Sequence, residues 1–269
     1  MALADFAAYR TAYGSPRYVT RNYYQGSSTT GTSADELGTL IRDTQGYPTE
    51  IAIPTTSVAL SRSSDGSLWS PTVSGRKVIT GLGVSIPSSS GVPGMPMLIV
   101  DRLVHSGGLT GNSTAVQTTN LPTAALTRNT DGVGVFAALL VWSSSSSTDL
   151  TVDVTYTNSD STSGRVSRLF TSDSVLSVGV YPIPYKDGDV GVKSVESIQL
   201  TATIGTPNLG IGLFKPYMLV PGNSMGRFSS LSCAGWNNDF PDDMFLEALY
   251  TDVGDPSSEH VKTFSFSSV

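Results

Sequence analysis

Nucleophilic and acid–base chemistry needs a titratable group, a hydroxyl or thiol, and dipoles that hold developing charge. The chain brings those types together once. Asp101 and His105 lie four apart in Leu98-Ile-Val-Asp-Arg-Leu-Val-His105, and Ser106 and Gly107-Gly108 follow directly. On a regular strand a spacing of four puts Asp101 and His105 on one face. The same alternation turns Ser106 to the other face, so the base does not reach the hydroxyl. Asp101, Arg102 and His105 therefore read as structural hydrogen-bonding residues, and no catalytic residue is assigned.

Metal chemistry has less to work with. The chain has 2 histidines, His105 and His260, and 1 cysteine, Cys233. A metal site needs several converging ligands with groups that orient them, and no such spacing appears. Asp187-Gly-Asp189 offers two carboxylates, too few for calcium, and reads as a turn. Gly81 and Gly83, and Gly210 and Gly212, lack the helix and lysine of a phosphate-binding loop and read as bulges or close packing within strands. Cys233 reads as a small buried hydrophobe. Asn112-Ser-Thr matches a glycosylation acceptor that has meaning only after secretion. No metal and no cofactor is expected.

Charge narrows the partners. Net charge is −6 and the sequence pI about 4.8. Met1 to Thr110 holds 8 basic and 7 acidic residues (+1), Gly111 to Leu219 holds 6 and 8 (−2), and Val220 to Val269 holds 2 and 7 (−5). An acidic C-terminal fifth without a basic run argues against direct nucleic-acid contact and against anionic membranes. No apolar stretch reaches membrane-spanning length. The opening Met-Ala-Leu-Ala-Asp-Phe has no basic-plus-apolar leader pattern, so the expectation is synthesis in a cytoplasm and folding without oxidation.

The elements that position these residues are strands. Leu150-Thr-Val-Asp-Val-Thr-Tyr156 alternates without a break, with Leu150, Val152, Val154 and Tyr156 on one side. The apolar run Val133 to Trp142, with Trp142 in the core, precedes it. Met97 to Val104, Val166 to Phe170, Val175 to Val180, Ile198 to Ile204 and Leu209 to Leu213 are further predicted strands, the last ended by Lys215-Pro216. Turn signals every eight to twelve residues are the mark of an antiparallel sandwich or barrel. The fold class expected is mainly β: an antiparallel β-sandwich or jelly-roll-like domain with an extended N-terminal arm and a short C-terminal helix.

Three regions follow. Residues 1–86 form an arm and a small β region. The arm has a short amphipathic helix over Ala4 to Tyr13, then an extended arm or edge strand over Tyr18 to Gly26. Phe6, Tyr9, Tyr13, Tyr18, Tyr23 and Tyr24 are its candidate partner-binding residues. Pro87 to Pro96, with three prolines and no charge, is the boundary to the central β-sandwich domain, 97–220. Residues 221–269 are the acidic C-terminal region. Within it Asp239 to Asp252 carries the strongest helix signal, placed at 241–252. Asp239 or Asp242 caps it, Asp243 and Glu247 complement its dipole, and Phe245, Leu246, Leu249 and Val253 form an apolar stripe. Val261 to Val269 alternates as a last strand, or as a tail for a neighbour's sheet edge.

Several short motifs resemble a group of tailed-bacteriophage virion structural proteins. They are Leu98 to His105, Gly107-Gly-Leu109, Asn120 to Arg128, Gly132-Val-Gly-Val135, Val154-Thr-Tyr-Thr-Asn158, Ser163-Gly-Arg165 and Leu213-Phe-Lys-Pro216. They span roughly residues 97 to 220. The resemblance implies a non-enzymatic component of a phage particle, made in the host bacterial cytoplasm. The first expectation is a homo-oligomeric capsid decoration or cement protein that contacts the major capsid protein and neighbouring copies of itself. The alternatives are a tail, neck or fibre component, and a β-sandwich module binding carbohydrate or a host surface through Tyr, Trp69 or Trp142.

Overall fold

The computed structural model describes residues 17–25, 38–39, 53–61, 64, 67, 81–84, 97–143, 150–171, 179–205, 207–220, 229–232, 243–250 and 260–268. Among them there are strands and no helix. In chain order these are β1 (Arg17–Gln25), β2 (Gly38–Thr39), β3 (Val58–Ala59), β4 (Gly81–Val84) and β5 (Met97–His105). Next come β6 (Leu109–Thr110), β7 (Phe136–Val141), β8 (Leu150–Asn158), β9 (Arg165–Thr171) and β10 (Gly179–Pro182). The last are β11 (Val192–Leu200), β12 (Asn208–Val220), β13 (Ser229–Ser232), β14 (Leu246–Tyr250) and β15 (His260–Ser268).

Three antiparallel sheets result. The large one runs β10-β7-β12-β5-β14-β2, with β3 also on β5 and β6 also on β12. A three-stranded sheet runs β11-β8-β9, and a four-stranded sheet runs β1-β15-β4-β13. The large sheet takes strands from both sides of the 87–96 connector, which itself lies outside the described residues.

The three-stranded sheet and one face of the large sheet enclose the main core, so the architecture is a β-sandwich. Leu150, Val152, Val154 and Tyr156 of β8 point inward, as their alternation predicts, against Leu139 and Val141 of β7 and Leu209, Ile211 and Leu213 of β12. The other face of the large sheet is also covered. Val100, Ala138, Leu140, Trp142, Val180, Phe214, Phe245 and Leu249 form a second buried cluster there. A strand buried on both faces reads as a continuous apolar run rather than an alternating one, which explains Phe136-Ala-Ala-Leu-Leu-Val141.

Three expectations are corrected. The predicted helix at 241–252 is not formed at its centre: residues 246–250 are β14, paired with β5 from Leu246↔Asp101 to Tyr250↔Met97. Local helix preference amounts to tenths of a kcal/mol per residue and yields to tertiary burial. The predicted strand Ile198 to Ile204 instead spans β11, which starts at Val192 and stops at Leu200. Register shifts beside Lys193 and Glu196 space its buried residues unevenly, at Val192, Val195, Ile198 and Leu200, which hides the period of two. Finally, Lys215-Pro216 does not end β12. Past Phe214 the strand has lost β7 and, among the described residues, pairs with β5 alone, so Pro216 sits on an edge stretch there, next to a bulge at Tyr217.

Of the arm, only residues 17–25 are described; they form β1, which is paired along its length with β15 and lies at the end of its sheet among the described strands. The helix over residues 4–13, with Phe6, Tyr9 and Tyr13, lies outside the described residues.

Candidate functional site

The residues singled out for chemistry converge on β5, where one irregularity decides their directions. Opposite β12, Leu213 faces Val104 and Phe214 faces Arg102, which leaves Leu103 as an extra residue. The bulge sends consecutive side chains Leu103 and Val104 into the sandwich core. Alternation is thereby shifted by one, so Arg102 and His105 share the opposite face beside Trp142. Asp101 is on the other side, held by Arg128. The expected common face for Asp101 and His105 is therefore not formed, because a period of two does not survive a bulge.

Two buried ion pairs flank this point. Arg102 donates from Nε and Nη2 to the two carboxylate oxygens of Glu247 at 2.7 Å each, with both side chains only 1% exposed. Its guanidinium lies 4.9 Å from the Phe214 ring centroid and 6.0 Å from that of Trp142. Nη1 has no hydrogen-bond partner, and the guanidinium as a whole gains cation–π attraction from the two rings. Asp101 accepts from Arg128 Nε at 2.9 Å and Nη2 at 2.7 Å, and from the Phe245 amide at 2.9 Å. Arg128 also donates to the Leu60 carbonyl at 2.6 Å. Burial pushes the Asp101 carboxyl above its ordinary range, against the pull of Arg128 and the Phe245 amide. Together these bonds tie β5 to β14 and to the end of β3, whose residues come from distant parts of the chain.

His105 is buried, and burial with the nearby Arg102 charge depresses it to about 3. Its ring meets Trp142 edge-on at 5.6 Å and its Nδ1 has no partner. Such an imidazole stays neutral at physiological pH and serves packing. Ser106 accepts the Ile211 amide on its hydroxyl at 2.9 Å and the Trp142 indole N–H on its carbonyl at 3.0 Å. A side chain at Gly210 would strike the Ser106 carbonyl, so that close approach requires glycine. Gly212 packs under the Phe214 ring, also as expected of a packing glycine.

Asp189 is the centre of a second network, at one end of the sandwich. It accepts from Tyr156 Oη at 2.6 Å, Asn158 Nδ2 at 2.7 Å and Arg165 Nε at 2.9 Å. The Arg165 guanidinium, with help from Tyr156 and Asn158, lowers its carboxyl to about 2. Burial and the Asp189 carboxylate raise the Tyr156 phenol to about 12. Asp187-Gly188 is a turn, as predicted. Among the described residues no group of three or more His, Cys, Asp or Glu is placed to hold a metal.

Other predicted residues fall elsewhere. Trp142 is in the core at 3% exposure. His260 stands opposite Gln25 on β15. Tyr18, Tyr23 and Tyr24 are on β1, opposite Ser267, Lys262 and Val261. Trp69, Cys233 and Asp239 lie outside the described residues. Sequence reasoning missed Arg128 and Glu247 as the partners of Asp101 and Arg102. Glu247 carried one available signal: an acid flanked by Phe245, Leu246, Ala248 and Leu249 has to find a cation if its segment is buried.

No family model matches the sequence, and no curated protein matches it. A chain of the solved "Structure of infectious bursal disease virus Gx strain" aligns with 94% of this chain and 80% of its own, at 11% identity and a TM-score of 0.22. At that TM-score the alignment does not establish a common fold.

Proposed function

We propose that the chain is a structural protein of a virus particle, and within that class a tailed-phage capsid decoration or cement protein. It binds the major capsid protein and neighbouring copies of itself, and it is not an enzyme. The observation that carries this reading is where the reactive side chains are employed. Asp101, Arg102, Ser106 and Asp189 each hold one strand or loop to another, and His105 is neutral and packed. These are the connections of a scaffold. The phage-like motifs between residues 97 and 220 fall on the strands and turns of this same body.

Attachment is assigned to β1. Among the described strands it pairs on one side only, with β15, and an open edge is a template for pairing with another chain. A tail, neck or fibre position uses the same features and differs in copy number. The carbohydrate-binding alternative loses Trp142, which is buried and bonded to Ser106.

Quantitative mass spectrometry of purified particles, relative to the major shell protein, tests the assignment. Hundreds of copies support decoration. A small multiple of three, five, six or twelve moves the protein to a vertex, neck, tail or fibre. Absence from particles overturns the virion reading. Deleting residues 1–26 is expected to abolish particle binding while the sandwich stays folded, and retained binding removes β1 as the attachment element.

A further inference from the structure

The segment containing β14 holds two contradictory sets of instructions. Its sequence, Asp243-Met-Phe-Leu-Glu-Ala-Leu-Tyr250, holds five good helix formers in eight residues (Met244, Leu246, Glu247, Ala248 and Leu249) and no β-branched residue. Acids stand at its N-terminal end and Phe245, Leu246 and Leu249 fall on one helical stripe. In the fold residues 246–250 are extended as β14 beside β5, with Leu249 and Tyr250 also paired to β2. As a strand the segment is buried on both faces: Phe245, Leu246 and Leu249 are 0% exposed and Glu247 1%. That burial on both sides places the Glu247 carboxylate in an apolar layer, where the bidentate grip of Arg102 offsets the cost of burying its charge. Two more bonds, from the Phe245 amide to Asp101 and from the Arg102 amide to the Phe245 carbonyl, fix the register.

We propose that residues 243–250 are a two-state segment: an amphipathic helix when not seated on β5, and when seated a chain whose residues 246–250 form β14, with the Arg102–Glu247 pair as the latch. Released, the helix returns Glu247 to water while keeping its apolar stripe together. Seated, the latch and the burial of four consecutive or near-consecutive side chains override local preference. The latch is charged on both sides and needs both partners, so weakening either one releases the segment without removing any part of the sandwich core.

Hydrogen-exchange mass spectrometry and far-UV circular dichroism of the full chain test this with Glu247→Gln, which leaves helix propensity nearly unchanged. The expected result is a loss of protection in peptides covering 244–250 at least tenfold greater than any loss in 150–158 and 192–200, and a deeper 222 nm signal. Adding Ala248→Val, which favours strand over helix, is expected to reverse the 222 nm change. Arg102→Lys, which loses the planar fork and keeps the charge, provides a second variant for the same readouts. Wild-type protection of 244–250 in both variants overturns the latch. Loss of protection without helical gain overturns the helix. An equal loss of protection across all of these peptides in both variants overturns the claim that the segment is separable.

Discussion

The two faces of the large sheet are sealed by different means. Toward β8, β9 and β11 the cover is hydrocarbon, from Leu139, Val141, Ile211 and Leu213 against Val152, Val154, Ile198 and Leu200. On the opposite side apolar residues surround charge: Arg102 pairs with Glu247 beside Trp142 and Phe214. Hydrophobic burial is non-directional, so the first face tolerates rearrangement and contributes stability in proportion to area. Buried ion pairs are directional and lose heavily when one partner is missing. The comparison teaches that one face stabilises the sheet and the other selects which distant segments complete it.

The largest effect is expected at the charged face. Arg102→Met deprives buried Glu247 of its cation and should cost about 3–5 kcal/mol in urea unfolding. A loss under about 1 kcal/mol would break the distinction between the faces. On the hydrocarbon face Leu139→Ala should cost about 2–5 kcal/mol by lost transfer and cavity. Its denaturant slope should be unchanged and β14 amide protection should fall only in step with global stability.

The faces also differ in pH response. His105 titrates near 6.5 when unfolded and about 3 when folded. Above pH 6.5 it is neutral in both states and contributes nothing. Below that the unfolded chain binds a proton the folded chain refuses, so stability falls with pH by up to about 1.4 kcal/mol per unit down to about 3. His105→Phe should remove that slope between pH 6 and 4. Asp189 acts in another window: its depressed pKa contributes stability above the unfolded value of 3.8 that is lost as pH falls through about 2. The smallest effect is expected at Arg168–Asp153, on the outer surface with Arg168 64% exposed. Arg168→Ala should change the melting temperature little, and less still at high salt.

The same contrast explains what the sequence made legible. β8 alternates because one face is core and one half-exposed, and its inward residues were identified correctly. The packing roles of Trp142, Gly210 and Gly212 followed from residue type. What failed was everything that depends on a bulge or a distant partner. The extra residue Leu103 changed the face of His105, the shifts at Lys193 and Glu196 disguised β11, and β14 looked like a helix because Arg102 lies 145 positions away from Glu247. Local periodicity carries no information about such a partner.

The account rests most heavily on the claim that Arg102 and Glu247 act as one unit that holds β14. A double-mutant cycle with Arg102→Met, Glu247→Leu and the pair, read by urea unfolding, measures this directly. The account predicts a double variant close to the wild type, so that the coupling energy is about the sum of the two single losses and at least about 3 kcal/mol. Additive losses, with a coupling near zero, would contradict it.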